Sequence, residues 1–348
     1  MQKKLLILPG NGIGPVVTRC GEMVLKHLNQ NYGAHFLLDV MNLDENEYID
    51  IEGMRVENII SHCKQYDYLL FGAAGLEKKE QNNSSGGLII KLRKELDLYI
   101  NLRPSKFYSD VYTPLKDCKI FNIAVVRENT ECAYVNMGSR MKSGYLNEIA
   151  IQSMVYTREK TTKTIYFAFE LAMKRNKKLT LCDKSNVLTY GHGLWRDIFY
   201  EIAKEYECVD VDHLYIDALT AKLIRDPSYF DVIVTTNMFG DIISDLLAEL
   251  QGGIGTAGSI NMGDNRTVLI EPIHGAAFDL IDKEYANPIG MINSIIELMK
   301  HIGEIGIANR MEKALELLIT QKEVTPDMKG NLTAETATKK FIEHFDSL

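Results

Sequence analysis

The sequence predicts an α/β fold, and three observations carry that prediction. Short apolar or β-branched runs occur at intervals along the chain. Between them lie longer stretches whose apolar residues recur every three to four positions. The composition, 46% hydrophobic and 25% charged, is that of an ordinary globular chain rather than a disordered one. At roughly 150 residues per domain, the 348 residues suggest about two domains.

Leu5-Leu6-Ile7-Leu8 reads as a short buried strand. The turn Pro9-Gly10-Asn11-Gly12-Ile13-Gly14-Pro15 follows, and Val16, Val17, Cys20, Met23, Val24 and Leu28 then recur at helical spacing. Pro15 fits the first helical turn, where its missing N–H has no intrahelical partner. Strand, glycine loop and helix outline a nucleotide loop, but Gly10-x-Gly12-x-Gly14 departs from Gly-x-Gly-x-x-Gly. The plainer reading is a tight turn that needs positive φ. Residues 68–75 read as a strand ending in glycines, 77–87 as a polar loop and 88–98 as an amphipathic helix. Further strands are expected at 120–127 and 179–183, and helices at 157–175, 192–206 and 285–305. Residues 230–236 are a β-branched run suited to a central strand.

Lys and Arg number 39 against 47 Asp and Glu, a formal net charge of −8. That excludes the basic footprint of a general nucleic-acid binder, although backbone N–H groups can still hold a phosphate. The apolar run at 5–8 is too short for a signal peptide, and no run approaches the ~18 residues of a membrane span. Cys20, Cys63, Cys118, Cys132, Cys182 and Cys208 are scattered, with no Cys-x-x-Cys. A reduced, cytoplasmic protein is expected.

Two constellations carry chemistry. Asp241 and Asp245, just beyond the strand at 230–236, fall one turn apart on one helix face. Two like charges there call for something positive. A divalent cation held by oxygens fits, and so does a helix N-terminus stabilised by acids through its dipole. Arg93, Arg103 and Arg127 all lie near the ends of predicted elements. One such arginine is ordinarily a surface ion pair; three together point to an anionic substrate bound through its carboxylates.

The segment 8–15 resembles the opening motif of the β-decarboxylating dehydrogenases, the isocitrate and isopropylmalate dehydrogenase family. The resemblance continues in order through Leu92-Arg93-Lys94-Glu95-Leu96-Asp97-Leu98-Tyr99-Ile100-Asn101-Leu102-Arg103-Pro104 and Val126-Arg127-Glu128-Asn129-Thr130-Glu131 with Tyr134. It extends through Asp183-Lys184-Ser185-Asn186-Val187, 237–245, Glu271-Pro272-Ile273-His274-Gly275 with Ala286-Asn287-Pro288, and 325–338. Seven collinear motifs are far more specific than any one of them. The resemblance implies a two-domain isopropylmalate dehydrogenase-like fold with a long mixed sheet, not a Rossmann fold. It places 1–98 and 255–348 in the larger domain and 99–254 in the smaller, dimerising one.

Roles are implied residue by residue. Arg93, Arg103 and Arg127 resemble the clamps on the carboxylates of a small hydroxy-dicarboxylate. Asp217, Asp241 and Asp245 resemble Mg²⁺ or Mn²⁺ ligands, with Asp217 supplied across a homodimer that shares its active sites. Lys184, also from the partner, resembles the base that takes the hydroxyl proton, and Tyr134 the acid that protonates the enol. Ile13, His274, Gly275, Asp279, Leu280 and Asn287 resemble the NAD site, with the acid at Asp279 favouring NAD over NADP. Asn11 stands where the family usually has Asp, Cys132 where Gly is common, and Gly191-His192-Gly193 is unusual.

For the substrate, Gly87 and Ile89 stand where isocitrate enzymes carry Ser and Asn, which removes polar partners for a γ-carboxylate. Residues 87–104 and 136–152 look closest to D-malate and tartrate dehydrogenases. D-malate is therefore the expected substrate and 3-isopropylmalate the alternative. All catalytic groups are present, so a non-catalytic regulatory subunit is not expected.

Overall fold

The computed structural model describes residues 3–42, 54–75, 87–283 and 285–348. The elements in chain order are β1 (Lys3–Gly10), α1 (Gly14–Tyr32), β2 (Phe36–Val40), α2 (Met54–Cys63), β3 (Tyr68–Ala73), α3 (Leu88–Glu95), β4 (Ile100–Lys106) and β5 (Asn122–Glu128). Next come β6 (Cys132–Met141), β7 (Ile149–Val155), α4 (Arg158–Met173), β8 (Lys178–Asp183), α5 (Gly191–Ala203), β9 (Asp210–Tyr215), α6 (Ile216–Arg225) and β10 (Val232–Thr235). The chain closes with α7 (Asn237–Gln251), β11 (Gly258–Met262), β12 (Val268–Pro272), α8 (Ile289–His301), α9 (Ile305–Thr320) and α10 (Ala334–Ser347).

Among the described residues ten strands form a sheet in the order β2-β1-β3-β12-β11-β4-β5-β10-β8-β9. β1 is parallel to β2 and β3, and β10 to β5 and β8, while β11 and β12 are antiparallel. This is the expected long mixed sheet, and its strand order is not that of a Rossmann fold. β6 and β7 form a separate antiparallel ribbon.

The chain groups into two compact units. One holds Met1–Leu98, Arg103–Cys118 and Asp245–Leu348; the other holds Tyr99–Leu102 and Lys119–Ser244. This grouping breaks at 98/99, 102/103, 118/119 and 244/245, where the expectation had breaks at 98/99 and 254/255 alone. Residues 103–118 and 245–254 pack with the unit that carries the termini. β4 and α7 each pass from one unit to the other along their own length.

In the first unit, the four residues Leu5 to Leu8 are buried, as suits a parallel strand flanked on both sides. Leu6, Leu8, Leu69, Phe71 and Leu269 from β1, β3 and β12 share a core with Ile59, Ile60, Cys63, Leu88 and Leu92 from α2 and α3 and with Leu96 just after α3. Each such side chain contributes about 2 kcal/mol through burial. α1 buries Val17, Cys20, Val24 and Leu28, has Pro15 in its first turn and stops at left-handed Gly33. In the second unit, β10 is buried along its whole length between β5 and β8. Thr157 caps α4 by accepting from the Lys160 N–H.

Several expected elements are shorter than their sequence pattern suggested. The helix at 285–305 starts at Ile289, because Pro288 bars regular helix before it. The helix at 88–98 ends at Glu95, where Asp97 turns to positive φ. The strand at 120–127 begins at Asn122. Most of the polar stretch 77–87 lies outside the described residues.

Candidate active site

α7 organises the site. Asp241 and Asp245 stand one turn apart on it, and each meets an arginine from a neighbouring strand. Arg127, at the end of β5 and 1% exposed, donates from Nη1 to Asp241 Oδ1 at 2.5 Å. Its Nε and Nη2 donate to Asn237 Oδ1 at 3.0 and 2.6 Å. The arginine lies so close to the helix that a Cβ on Gly240 would stand 2.6 Å from its Cγ. Tyr134, on β6, donates from Oη to Asp241 Oδ2 at 2.6 Å, and the Arg127 guanidinium sits 5.3 Å from its ring centroid. Arg103, buried on β4, lies 3.7 Å from Asp245 through Nη1 and Oδ1. The positive charge that the two carboxylates require is thus supplied by Arg127 and Arg103.

The motif 127–131 divides its work. Glu128 turns away from the site and accepts from the Thr130 N–H and hydroxyl and from the Glu131 N–H. Burial pushes its carboxyl up to about 7. Glu131 accepts from the N–H and hydroxyl of Thr157, tying this turn to the start of α4.

Lys184 follows β8 and pairs with Asp217 of α6, Nζ to Oδ1 at 2.5 Å. That hydrogen bond holds the exposed Asp217 carboxyl below its ordinary value. Among the described residues no three His, Cys, Asp or Glu side chains gather to hold a metal. The chain therefore brings Asp241 and Asp245 together without Asp217.

Arg93, on α3, lies in the first unit. It forms a buried ion pair with Glu271 of β12 at 2.8 Å, and Glu271 Oε1 also accepts from Asn261 of β11 at 2.9 Å. Among the described residues Arg93 Nε is buried with no hydrogen-bond partner, a donor left over for a ligand.

The residues expected at the cofactor occupy two touching loops of the same unit. Ile13 N–H donates to the Ala276 carbonyl at 2.8 Å. Gly12, at φ +62°, approaches so closely that a Cβ would stand 2.0 Å from that carbonyl oxygen. The glycine run is therefore a close-packed turn. Asn11 donates from Nδ2 to the Gly75 carbonyl and accepts from the Gly75 N–H, both at 2.9 Å. An aspartate could make only the second of these, which accounts for asparagine here. His274 is buried, and its Nδ1 donates to the Gly275 carbonyl at 3.1 Å. Its Nε2 is then an acceptor, buried without a partner among the described residues. Burial also pulls the imidazole below its ordinary value and keeps it neutral. Asn287 uses both ends of its amide internally, donating to Asp327 and accepting from the Ile289 N–H. Gly275 and Asp279 are exposed and Leu280 is half-buried.

Asn237 and Glu271 lie inside motifs of the resemblance but carry no role there, and Asn261 falls outside every motif. A polar residue at the very end of the β-branched run, and an acid inside the apolar stretch 268–272, are the signals that could have marked the first two.

A model of the isocitrate/isopropylmalate dehydrogenase family matches residues 4–345. A 3-isopropylmalate dehydrogenase from Archaeoglobus fulgidus is 39% identical over 95% of each chain. One from Corynebacterium kroppenstedtii is 35% identical over 99% of this chain and 100% of its own. The crystal structure of isocitrate dehydrogenase from Methylococcus capsulatus superposes with a TM-score of 0.88 at 30% identity, covering 99% of both chains. These relatives overturn the expectation of D-malate or tartrate as substrate, because those at 35–39% identity over most of the chain are 3-isopropylmalate dehydrogenases. The stretches 87–104 and 136–152 misled because much of their sequence serves structure: Leu88 and Leu92 are core, and 136–152 falls mostly in the β6–β7 ribbon. With a family model matched over residues 4–345, relatives 35–39% identical over most of the chain and a solved structure that superposes along its whole length, the chain belongs to the isocitrate/isopropylmalate dehydrogenase family and is a decarboxylating dehydrogenase.

Proposed function

We propose that this chain oxidises 3-isopropylmalate at C2 and releases its β-carboxylate as CO₂, with NAD⁺ and Mg²⁺ or Mn²⁺, as a homodimer. The observation that carries the reading is the set of arginine–carboxylate pairs radiating from α7, with Tyr134 on Asp241. The names of the relatives support the substrate. Ile90, half-buried one helical turn before Arg93, supports an apolar neighbour for the isopropyl group.

The residues fit the two groups that the reaction needs. Asp241 and Asp245 are hard oxygen donors, partly exposed and one turn apart, which suits a divalent cation, with Asp217 of a second copy completing the set. His274 Nε2 is a buried acceptor suited to the exocyclic amine of adenine, and the acid at Asp279 opposes a 2′-phosphate. Bound there, the cation would supply Lewis acidity toward the 2-hydroxyl and the nicotinamide would supply the hydride acceptor.

The chain's own residues do the rest. Arg93, Arg103 and Arg127 bind and orient the two carboxylates. Lys184 Nζ takes the proton from the hydroxyl as hydride leaves C2. The resulting β-keto acid loses CO₂, and Tyr134 Oη delivers a proton to the enol carbon. The β6–β7 ribbon supports dimerisation, because it exposes Met137, Met141, Tyr145, Leu146, Ile149 and Ile151, more apolar surface than a solvated hairpin carries.

Steady-state assays on 3-isopropylmalate, isocitrate, D-malate and tartrate with NAD⁺ and Mn²⁺ test the reading. The highest kcat/KM is expected for 3-isopropylmalate. A higher value for any of the others overturns the substrate assignment, and full turnover after exhaustive chelation overturns the metal.

A further inference from the structure

We infer that His192 is a positioning residue for Lys184, held in one tautomer by a buried chain through Tyr156 to Cys132. The inference rests on the reading of Lys184 as the base.

The hydrogen bonds fix their own direction. The Lys184 backbone N–H lies 2.9 Å from His192 Nδ1, and an amide N–H can only donate. Nδ1 must therefore present its lone pair, and in a neutral ring the proton sits on Nε2. Nε2 lies 3.0 Å from Tyr156 Oη and donates to it. Beyond it, Tyr156 Oη lies 3.2 Å from Cys132 Sγ, a pair in which either group can donate, and 3.5 Å from Met154 Sδ, to which the phenol can donate. The chain runs from backbone amide to imidazole to phenol to thiol.

Packing locks the ring as tightly as the bonds do. His192 is 1% exposed and stands edge-on to Tyr156 and to Phe239 of α7, with centroids 5.3 and 5.1 Å away. Burial pulls its imidazole down to about 4, so the ring stays neutral under working conditions. A Cβ on Gly191 would stand 2.5 Å from two carbons of the Tyr156 ring. Gly191 is therefore glycine because Tyr156 is there. Cys132 is in the left-handed region at φ +67°, where it brings its thiol under the phenol. The unusual residues of the sequence, Cys132 and Gly191-His192, thus form one packed device with Tyr156.

The device acts on the segment that bears Lys184. Asp183, one residue earlier, accepts from the Ser185 N–H at 3.0 Å and meets His213 Nε2 at 2.8 Å. His213 holds the strand end from one side and His192 holds the next amide from the other. A lysine used as a base must hold Nζ within hydrogen-bond reach of its proton donor, about 2.6–3.2 Å, and about 1 Å of displacement costs roughly 100-fold in rate.

Four variants test this, each checked by circular dichroism and thermal melting. His192→Asn keeps an acceptor at the Nδ1 position and no donor at Nε2; His192→Gln offers the donor without the acceptor; His192→Leu offers neither. The expected kcat is within about threefold of the parent for Asn, and roughly 10- to 100-fold lower for Gln and Leu, with KM for 3-isopropylmalate changed less than twofold throughout. Lys184→Ala runs in parallel and should abolish turnover. Equal kcat for Asn and Gln overturns the inference, as does a loss confined to KM. If Lys184→Ala kills turnover while His192→Leu matches the parent, the inference alone falls. If Lys184→Ala retains turnover, the base assignment has failed and the inference falls with it. Should His192→Leu fail to fold, the Asn and Gln pair still decides.

Discussion

Replacing Arg93 by Ala removes one half of a buried ion pair and leaves the other half stranded. Glu271 is 7% exposed at its side chain, and without Arg93 its remaining side-chain partner is Asn261. Truncating one member of such a pair costs about 3–5 kcal/mol, most of it the penalty of a buried charge without its counter-charge. For a unit of roughly this size that corresponds to a melting temperature lower by about 10 °C. The same change removes a substrate clamp, so kcat/KM should fall by about 100-fold, equivalent to about 2.7 kcal/mol of lost transition-state binding. The two effects separate in the double variant Arg93→Met with Glu271→Gln. The neutral amide can still accept from Asn261 and carries no charge to strand, so stability should return to within about 1–2 kcal/mol of the parent. Activity should not return. Urea unfolding and steady-state kinetics on the three proteins give both numbers. A loss below 1 kcal/mol in Arg93→Ala refutes the burial argument, and parental kcat/KM in the double variant refutes the clamp.

Acid should weaken the fold through His192. Its folded pKa of about 4 lies below the ordinary 6.5, so the unfolded chain binds the extra proton between those values. Stability is lost as pH falls from 6.5 through 4, by up to about 3 kcal/mol, and unfolding titrations of His192→Asn should lack that component; an unchanged slope contradicts it. Asp241→Asn should lower kcat by at least 100-fold yet leave a folded protein, because Arg127 keeps both bonds to Asn237; wild-type turnover would end the proposed metal role. Asp279→Lys with Leu280→Tyr should shift the ratio of kcat/KM toward NADP, and a ratio unmoved from the parent's argues that Asp279 is only an exposed loop acid.

Local patterns carried much of the fold into the sequence. β1, α1 and β10 could be read because a four-residue apolar run and a 3.6-residue period are visible within a short window. β4 could not, although it lies inside the sheet. It contains Pro104, which ordinarily argues against an interior strand, and its Asn101, Arg103 and Ser105 are buried polar residues that mimic a surface segment. The ends of helices failed for similar reasons. The apolar period continues past Leu96 into the buried Leu98, while the backbone has already left the helix at Asp97.

The site shows the same division between what is local and what is not. The spacing of Asp241 and Asp245 places both carboxylates on one face, but no feature of 237–245 says what neutralises them. That answer lies more than 100 residues away, in Arg127 on β5 and Arg103 on β4. Arg93 repeats the pattern, paired with Glu271 178 positions later. Each arginine read as a substrate clamp is therefore already matched to a carboxylate before any ligand arrives. This has a chemical consequence that the motifs alone conceal. A dicarboxylate entering by itself must compete with Asp241 and Asp245 for their arginines, and the like charges repel it. Positive charge on the two aspartates frees Arg103 and Arg127 for the substrate and relieves that repulsion. The pairing thus couples the proposed cation and substrate through the arginines, and by reciprocity each must tighten the binding of the other.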